Sequence, residues 1–283
     1  MELWQKEDIP YIVIAFGGEF LMETLPYIDE NIIKNSEAKW VQGFSDVSLL
    51  NFYLTTNYNI ATIHSTSFSA YGMNIWDKSI EVPFAFVQNP TDFTQNSFEL
   101  FEKERNREEG TELDSFNLTD KVIYKNLYEN ANREESSSNN ISKDEVTIKG
   151  RLIGGCLDVL KILLGTSFDK TKEFCASFPE GMLWYIENCE MSVSDLKRTL
   201  WQMKMADWFE NTNGFIIGRT RANADMWDFT YLDALRDIFD DMNVPVIYDI
   251  DVGHVAPQWT MVNGALAEFK YKDGRGVIRQ ELN

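Results

Sequence analysis

His64 and His254 are the residues best suited to accept a proton near neutral pH, because imidazole has its ordinary pKa in that range. His64 lies in the apolar stretch "IATIHS", and His254 follows the stretch "VPVIY" in "YDIDVGH". Ligands of parallel sheets bind at the carboxyl ends of the strands, so both positions favour a role in a site. A lone histidine at a strand end is more often structural, and these patterns leave open which of the two acts as a base.

Ser45 lies where the strand pattern "AKWVQ" gives way to the helical pattern "DVSLLNFYLTTNY". A serine at a strand-to-helix turn resembles the nucleophile elbow of α/β-hydrolases, with Asp46 and Val47 in place of the usual x-Gly. The first N–H groups of the helix would then face a developing oxyanion. The alternative is a simple N-cap, a position that Ser and Asp favour.

An acidic residue that orients the imidazole would complete a serine triad, and two candidates follow one strand pattern. Glu187 ends "GMLWYIE" and Glu190 comes three residues later; the alternative for both is a solvated carboxylate on a loop. Gly17-Gly18, at the end of "PYIVIAF", either forms a tight turn or lets a backbone amide approach a substrate closely. This pair lacks the GxGxxG spacing of a dinucleotide site.

A metal-dependent hydrolase is a further alternative. Asp249, Asp251 and His254 have a conceivable spacing for a divalent ion that activates water, but no HExxH motif is present. The cysteines lack CxxC spacing, which predicts neither a zinc site nor a disulfide framework and fits a reducing compartment. They are Cys156, Cys175 and Cys189.

Composition limits the function classes. The chain has 283 residues, 44% hydrophobic and 13% aromatic, which is enough to bury one large core or two ordinary ones. Its net charge of −19 repels a phosphate backbone, so we expect no nucleic-acid partner. The apolar run "YIVIAF" is too short to span a bilayer and follows no basic segment, which predicts a cytoplasmic protein without a membrane partner.

The elements that position these residues fall into two α/β regions. Residues 1–85 alternate strand and helix, including a helix over "EFLMETLPYIDENIIKN", and predict a parallel sheet. Residues 86–149 form a long charged connection, with the low-complexity stretch "NREESSSNNISKDE", that we expect to be partly mobile. Residues 150–283 are again mixed α/β. They follow a Gly-rich turn in "RLIGGCLDVL" and end in a hairpin that turns at Asp273-Gly274.

Taken together, six stretches resemble the LD-carboxypeptidase family of serine peptidases, which includes the microcin C immunity peptidases. They keep the family's order along the chain: "GGEFLMETLPYID", "VQGFSDVSLLNFYLTTNYNIATIHS", "GRLIGGCLDVL", "WYIENCE", "ADWFENTNGFIIGRT" and "PVIYDIDVGH". The resemblance implies a Rossmann-like N-terminal domain, a C-terminal α/β domain and assembly as a homodimer. It also implies hydrolysis without a cofactor or metal.

The resemblance assigns roles to individual residues. The family's G-(F/Y)-S-D serine corresponds to Ser45, its strand-end glutamate to Glu187 and its G-H histidine to His254. The oxyanion donors would be the backbone N–H groups of Gly18 and Asp46. His254, oriented by Glu187, would then accept the serine proton.

Three departures from the family pattern stand out. The Gly-Gly strand begins close to Met1, so the N-terminal domain is expected to be shortened at its start. Cys156 stands where the family commonly has Asn, and "HSTSF" begins at His64 where His-Gly-Pro is common.

The leading function is cleavage of the L–D bond before the terminal D-alanine of cytoplasmic murein tetrapeptide, a step of cell-wall recycling. One alternative is the microcin-immunity activity on an aminoacyl-nucleotide amide, in which an aromatic from the connection packs against the base. The other is a non-catalytic binder of wall fragments. The connection offers no Trp for base stacking, which favours the murein substrate. The aromatic residues that it offers for this role are Phe93, Phe98, Phe101, Phe116, Tyr124 and Tyr128.

Overall fold

The structure is a computed structural model that describes residues 1–105, 113–128 and 145–282. Its α-helices are α1 (Glu30–Asn35), α2 (Val47–Tyr58), α3 (Lys78–Gln88), α4 (Leu157–Leu160), α5 (Thr171–Ala176), α6 (Val193–Met205) and α7 (Tyr231–Phe239). Short 3₁₀ helices cover Leu21–Tyr27, Phe68–Gly72 and Lys161–Leu163. Within these residues, no helix combines the length and the hydrophobicity that crossing a bilayer requires.

The strands come from both halves of the chain. They are β1 (Tyr11–Val13), β2 (Trp40–Gly43), β3 (Thr62–His64), β4 (Phe93–Asn96), β5 (Leu100–Phe101), β6 (Asp120–Lys121), β7 (Lys125–Asn126), β8 (Glu145–Cys156), β9 (Met182–Glu187), β10 (Thr212–Gly218), β11 (Val246–Ile250), β12 (Met261–Asn263), β13 (Leu266–Lys272) and β14 (Arg275–Glu281).

A four-stranded sheet has the order β1-β2-β3-β12. The first three strands are parallel, as the alternation of strand and helix predicts. The fourth comes from the C-terminal half of the chain and pairs antiparallel with β3, with Met261 opposite His64. The C-terminal half therefore contributes one edge of the sheet whose other strands come from the N-terminal half.

An eight-stranded sheet has the order β4-β14-β13-β8-β9-β10-β11-β7. Its centre, β8 to β11, is parallel, and its flanks are antiparallel. All six residues of β9 are buried, since apolar clusters cover both faces of the sheet. This is the mixed α/β fold that the pattern predicts.

Helix α2 links the two sheets. It packs against β2 and β3 of the smaller sheet and against β8 of the larger one. For this reason most of its residues are buried, including polar ones such as Asn51 and Thr55. Asn51 compensates by donating to the carbonyls of Gly43 and Ile63, which ties the helix to both neighbouring strands.

Two local expectations are wrong. The helix predicted over residues 19–35 is divided between a 3₁₀ helix and α1, because Pro26 lacks an N–H and Asp29 starts a new helix by accepting from Asn31. The predicted Gly-rich turn is instead the end of β8. A Cβ at Gly154 would lie 1.6 Å from the Tyr185 carbonyl oxygen, so glycine permits close strand contact there.

The predicted C-terminal hairpin is confirmed: β13 and β14 pair from Leu266 to Glu281. Asp273 and Gly274 have φ values of 49° and 76°, as a type I′ turn requires. The predicted connection holds β4 to β7 and ends in β8; most of its low-complexity stretch lies outside the described residues. The domain boundaries at residues 85 and 149 stay a prediction.

Candidate active site

Ser45 occupies the turn between β2 and α2 with a φ of 60°. A non-glycine residue in this left-handed region is uncommon and persists where its surroundings impose it. Its neighbour Asp46 is the N-cap residue of α2, but the Asp46 side chain makes no capping hydrogen bond and accepts instead from the Leu21 N–H at 3.0 Å. The Ser45 hydroxyl points to a histidine rather than to the start of the helix, so the simple N-cap alternative does not describe its contacts.

The structure brings Ser45, His254 and Glu187 into one hydrogen-bonded chain. The Ser45 Oγ lies 2.9 Å from Nε2 of His254, and Nδ1 of the same ring lies 3.0 Å from Oε2 of Glu187. A carboxylate can only accept, so Nδ1 donates to Glu187, and Nε2 accepts from the serine hydroxyl whenever the ring is neutral. This arrangement can move a proton from Ser45 to His254.

Gly253 shows why a glycine precedes this histidine. It has a φ of 98°, and a Cβ there would lie 2.6 Å from Oε2 of Glu187. Any other residue would be strained and would also displace the carboxylate. The Phe44 ring lies 5.0 Å from the His254 ring, so the imidazole contacts an aromatic side chain as well as an acid.

The pair of His254 and Glu187 shifts both pKa values towards the charged forms. Burial alone would lower the pKa of His254, but the Glu187 carboxylate and the Cys189 thiol beside the ring raise it above its ordinary value. Burial alone would raise the pKa of Glu187, whose side chain is fully buried, but His254 outweighs it and holds that pKa low. A carboxylate that stays ionised can orient the ring and stabilise an imidazolium.

His64 occupies a different environment. It ends β3, is fully buried, and has its Nδ1 3.2 Å from the Ser48 Oγ. Burial, which outweighs the attraction of Glu187, lowers the pKa of His64 to about 4. A neutral ring that contacts Ser48 rather than Ser45 fits a structural role.

Glu190 and the aspartates of "DIDVGH" lie apart from the hydrogen-bonded chain. Glu190 is exposed, and its backbone N–H donates to Asp158. Asp249 pairs with Lys125, at 2.9 Å. Asp251 is buried and accepts from Arg219 and Tyr124, so both aspartates of the metal alternative have other partners.

Gly17 and Gly18 approach the nucleophile turn. A Cβ at Gly17 would lie 3.1 Å from the Ser45 Oγ, and one at Gly18 would lie 3.0 Å from Oδ2 of Asp46. The predicted oxyanion donors, the N–H groups of Gly18 and Asp46, therefore belong to segments that pack together at Ser45.

The patterns missed the two cysteines at the site. Cys156 ends β8 opposite Glu187 in the neighbouring strand, and the half-exposed Cys189 lies beside His254. The only sequence signals were the departure from Asn at Cys156 and the position of Cys189 two residues after Glu187.

Comparisons with known proteins identify relatives of both halves of the chain. The profile of the LD-carboxypeptidase N-terminal domain matches residues 1–65, and that of the C-terminal domain matches residues 149–269. A putative carboxypeptidase of Vibrio cholerae is 25% identical over 275 residues, which cover 90% of this chain and 71% of that protein.

Two solved structures share the fold. An MccF-like protein from Streptococcus pneumoniae in complex with AMP has a TM-score of 0.72 and 22% identity over 99% of this chain and 81% of that chain. Muramoyltetrapeptide carboxypeptidase from Oxalobacter formigenes has a TM-score of 0.70 and 15% identity over 100% of this chain and 81% of that chain. The two profiles, which match both halves of the chain, show that it belongs to the LD-carboxypeptidase family.

Proposed function

We propose that the protein is a metal-independent serine carboxypeptidase that releases the terminal D-alanine of murein tetrapeptide. The observation that carries the proposal is the hydrogen-bonded chain from Ser45 through His254 to Glu187. A binder of wall fragments would need neither the left-handed turn at Ser45 nor an imidazole positioned to accept its proton. Membership of a carboxypeptidase family supports the same conclusion.

In the acylation half-reaction, the Ser45 Oγ attacks the carbonyl carbon before D-alanine while Nε2 of His254 takes the hydroxyl proton. Glu187 stabilises the imidazolium that forms. When the tetrahedral intermediate collapses, the C–N bond breaks and His254 transfers its proton to the departing amine. D-alanine leaves, and the remaining peptide is an ester of Ser45.

In the deacylation half-reaction, a water molecule attacks the ester carbonyl and gives its proton to His254. The bond between the carbonyl carbon and the Ser45 Oγ breaks, and the proton returns to the serine. The backbone N–H groups of Gly18 and Asp46 would stabilise the oxyanion in both half-reactions. Such donors act strongly because they are fixed before charge develops.

The connecting segment supports the murein substrate over an aminoacyl nucleotide. Its aromatic residues mostly serve in packing: Tyr124 and Tyr128 are buried, the Phe93 ring lies 5.1 Å from Phe86, and Phe101 lies under the Arg219 guanidinium. These side chains are thus committed to contacts inside the protein rather than to a nucleobase. The cytoplasmic location, which follows from the sequence, and the homodimer, which follows from the resemblance, are also proposals.

The test is D-alanine release from murein tetrapeptide, followed by mass spectrometry with EDTA present. We expect release by the wild type and by Ser115→Ala, a control at an exposed serine that donates to the Ile75 carbonyl. Ser45→Ala should release none. A fluorophosphonate should label the wild type and Ser115→Ala but not Ser45→Ala. This reagent reports the activated serine without any choice of substrate.

Two results would change the proposal. Labelling at Ser45 without D-alanine release would reject the murein substrate and direct the assay to aminoacyl-nucleotide amides. A folded wild-type protein that neither labels nor hydrolyses would support the binding role, and activity that EDTA abolishes would support a metal hydrolase.

A further inference from the structure

Three side chains with metal-binding atoms meet at the inner end of the proposed triad. Cys156 ends β8, Glu187 ends β9 directly opposite, and His254 follows β11. The Cys156 Sγ, a Glu187 carboxylate oxygen and a His254 ring nitrogen all lie within 4.8 Å of one another. The exposed fractions of Cys156 and Glu187 are 2% and 0%, so the cluster lies beneath the surface.

The proposed hydrolysis uses Glu187 and His254 but gives the Cys156 thiol no role. The Cys156 Sγ lies 3.6 Å from Oδ2 of Asp158, and the thiol also hydrogen-bonds to the Glu187 carboxylate. Both carboxylate oxygens of Glu187 lie 3.0 Å from Nδ1 of His254, so the buried carboxylate already faces one of the other two members of the cluster. The buried thiol therefore adds a third metal-binding atom to the acid and the base of the proposed triad.

We propose that this cluster is an inhibitory zinc site, in which Zn²⁺ is bound by the Cys156 thiolate, the Glu187 carboxylate and Nδ1 of His254. Sulfur, nitrogen and carboxylate oxygen are the donors that zinc uses in proteins, and three such ligands leave a fourth position for water. Nδ1 is the ring nitrogen concerned, because it lies 3.0 Å from Glu187 while Nε2 faces Ser45.

The spacing of the cluster suits a tetrahedral ion. Zinc bonds of about 2.0–2.3 Å place neighbouring ligand atoms roughly 3.3–3.6 Å apart. Atoms that already lie within 4.8 Å reach this spacing through small rotations of the side chains. Asp158 accepts from the backbone N–H groups of residues 189–191 and holds the adjoining turn in place, while the half-exposed Cys189 marks the side open to solvent.

Zinc bound at this cluster stops the proposed reaction because it fixes the proton of the His254 ring on Nε2. A neutral imidazole that coordinates through Nδ1 carries its remaining proton on Nε2, so it donates to the Ser45 Oγ and no longer accepts from it. The ring keeps one proton, which moves from Nδ1 to Nε2, and the thiol of Cys156 releases one proton to solvent. Inhibition rests on the proposed function, whereas binding of the ion does not.

The first experiment measures binding on the EDTA-stripped full-length protein, by competition between the protein and a chromophoric chelator for Zn²⁺. We expect one equivalent of Zn²⁺ on the wild type and on Cys175→Ser, a control at a buried cysteine outside the cluster. Cys156→Ser should weaken binding by about 100-fold or more, because loss of a ligand exceeds the roughly 10–100-fold cost of losing an outer partner. With Co²⁺, a thiolate charge-transfer band should appear for the wild type and not for Cys156→Ser.

Failure of the wild type to bind Zn²⁺, or equal affinity of the wild type and Cys156→Ser, would overturn the site. Retention of the cobalt band by Cys156→Ser would also overturn it.

The second experiment measures inhibition, as fluorophosphonate labelling of Ser45 with and without Zn²⁺. Labelling should fall in Zn²⁺, return on addition of EDTA and stay unchanged in Mg²⁺, which prefers oxygen ligands. Unchanged labelling of a zinc-loaded protein would overturn the inhibitory role. A protein that fails to label even in EDTA would refute the proposed function, and the binding experiment would still decide the site.

Discussion

Both histidines follow a strand pattern in the sequence, but they lie in different environments in the structure. His64 ends β3 and is fully buried, with Nδ1 near Ser48. His254 follows β11, and 25% of its side chain is exposed, with one nitrogen on Glu187 and the other on Ser45. The Phe44 ring lies near both imidazoles, at 6.4 Å and 5.0 Å.

The difference between these two environments comes from the acid. His64 has no carboxylate hydrogen-bonded to it among the described residues, and burial lowers its pKa to about 4. Glu187 offsets the burial of His254 and raises the pKa of that ring instead. A histidine that faces both a carboxylate and a hydroxyl can carry a proton between substrate and serine, while one that faces only a buried hydroxyl stays neutral.

The largest expected effect separates the histidines by activity. His254→Ala, in a sample shown to be folded, should lower kcat by about 10⁶, the loss seen when a member of a serine triad is removed. Adding Ser45→Ala should cost little more, because the two residues act as a unit. His64→Gln, as the matched variant, should keep most of its activity. A folded His64→Gln protein as inactive as His254→Ala would contradict the comparison.

Next in size is the effect of the acid. Glu187→Gln should lower kcat by about 10⁴, because an amide no longer fixes the ring tautomer or stabilises the imidazolium. Glu190→Gln is the matched control at the exposed acid three residues later, and its kcat should stay near that of the wild type. Steady-state D-alanine release measures both. Equal losses of kcat in the two variants would show that Glu187 is not the acid that makes His254 differ from His64.

A smaller loss of kcat is expected when one of the proposed oxyanion donors near His254 is removed. Gly18→Pro removes a backbone N–H and should lower kcat by about 10² to 10³. Gly18→Ala keeps the N–H but brings a Cβ to 3.0 Å from Oδ2 of Asp46, so it reports the steric part alone. Single-turnover assays should find the proline variant slower than the alanine variant. Equal rates would remove Gly18 from the oxyanion site.

The smallest effect is on stability against pH. Between pH 6.5 and about 4, unfolded His64 binds a proton and folded His64 does not, so acid should weaken folding. At about 1.4 kcal/mol per pKa unit, His64 contributes up to roughly 3 kcal/mol to this loss. His254 has the opposite effect on the unfolding free energy. Its raised pKa stabilises the folded protein below pH 6.5, and this stabilisation is lost as pH rises through the pKa of the folded state.

Urea unfolding over this pH range, with EDTA present, measures the slope. His64→Gln should show a shallower loss of unfolding free energy than the wild type. The same slope in both proteins would mean that His64 is accessible to protons in the folded state.

Local patterns predicted much of the fold. The apolar runs predicted β2, β9 and β11, and the alternation of strand and helix in residues 1–85 predicted the parallel arrangement of β1, β2 and β3. These features are readable because each depends on residues close together in the chain. The prediction of one helix over residues 19–35 was wrong because Pro26 and Asp29 divide that stretch into two helices.

What the sequence alone determined is the chemistry of the parts: a serine at a strand-to-helix turn, a histidine after a strand and a glutamate ending another. Only the tertiary structure decided which histidine meets the serine, 209 residues away, and which acid meets that histidine, 67 residues away. It also decided that Cys156 lies against the same pair. The physical reason is that these contacts depend on the order and register of β8, β9, β10 and β11, which long-range packing sets and no local pattern encodes.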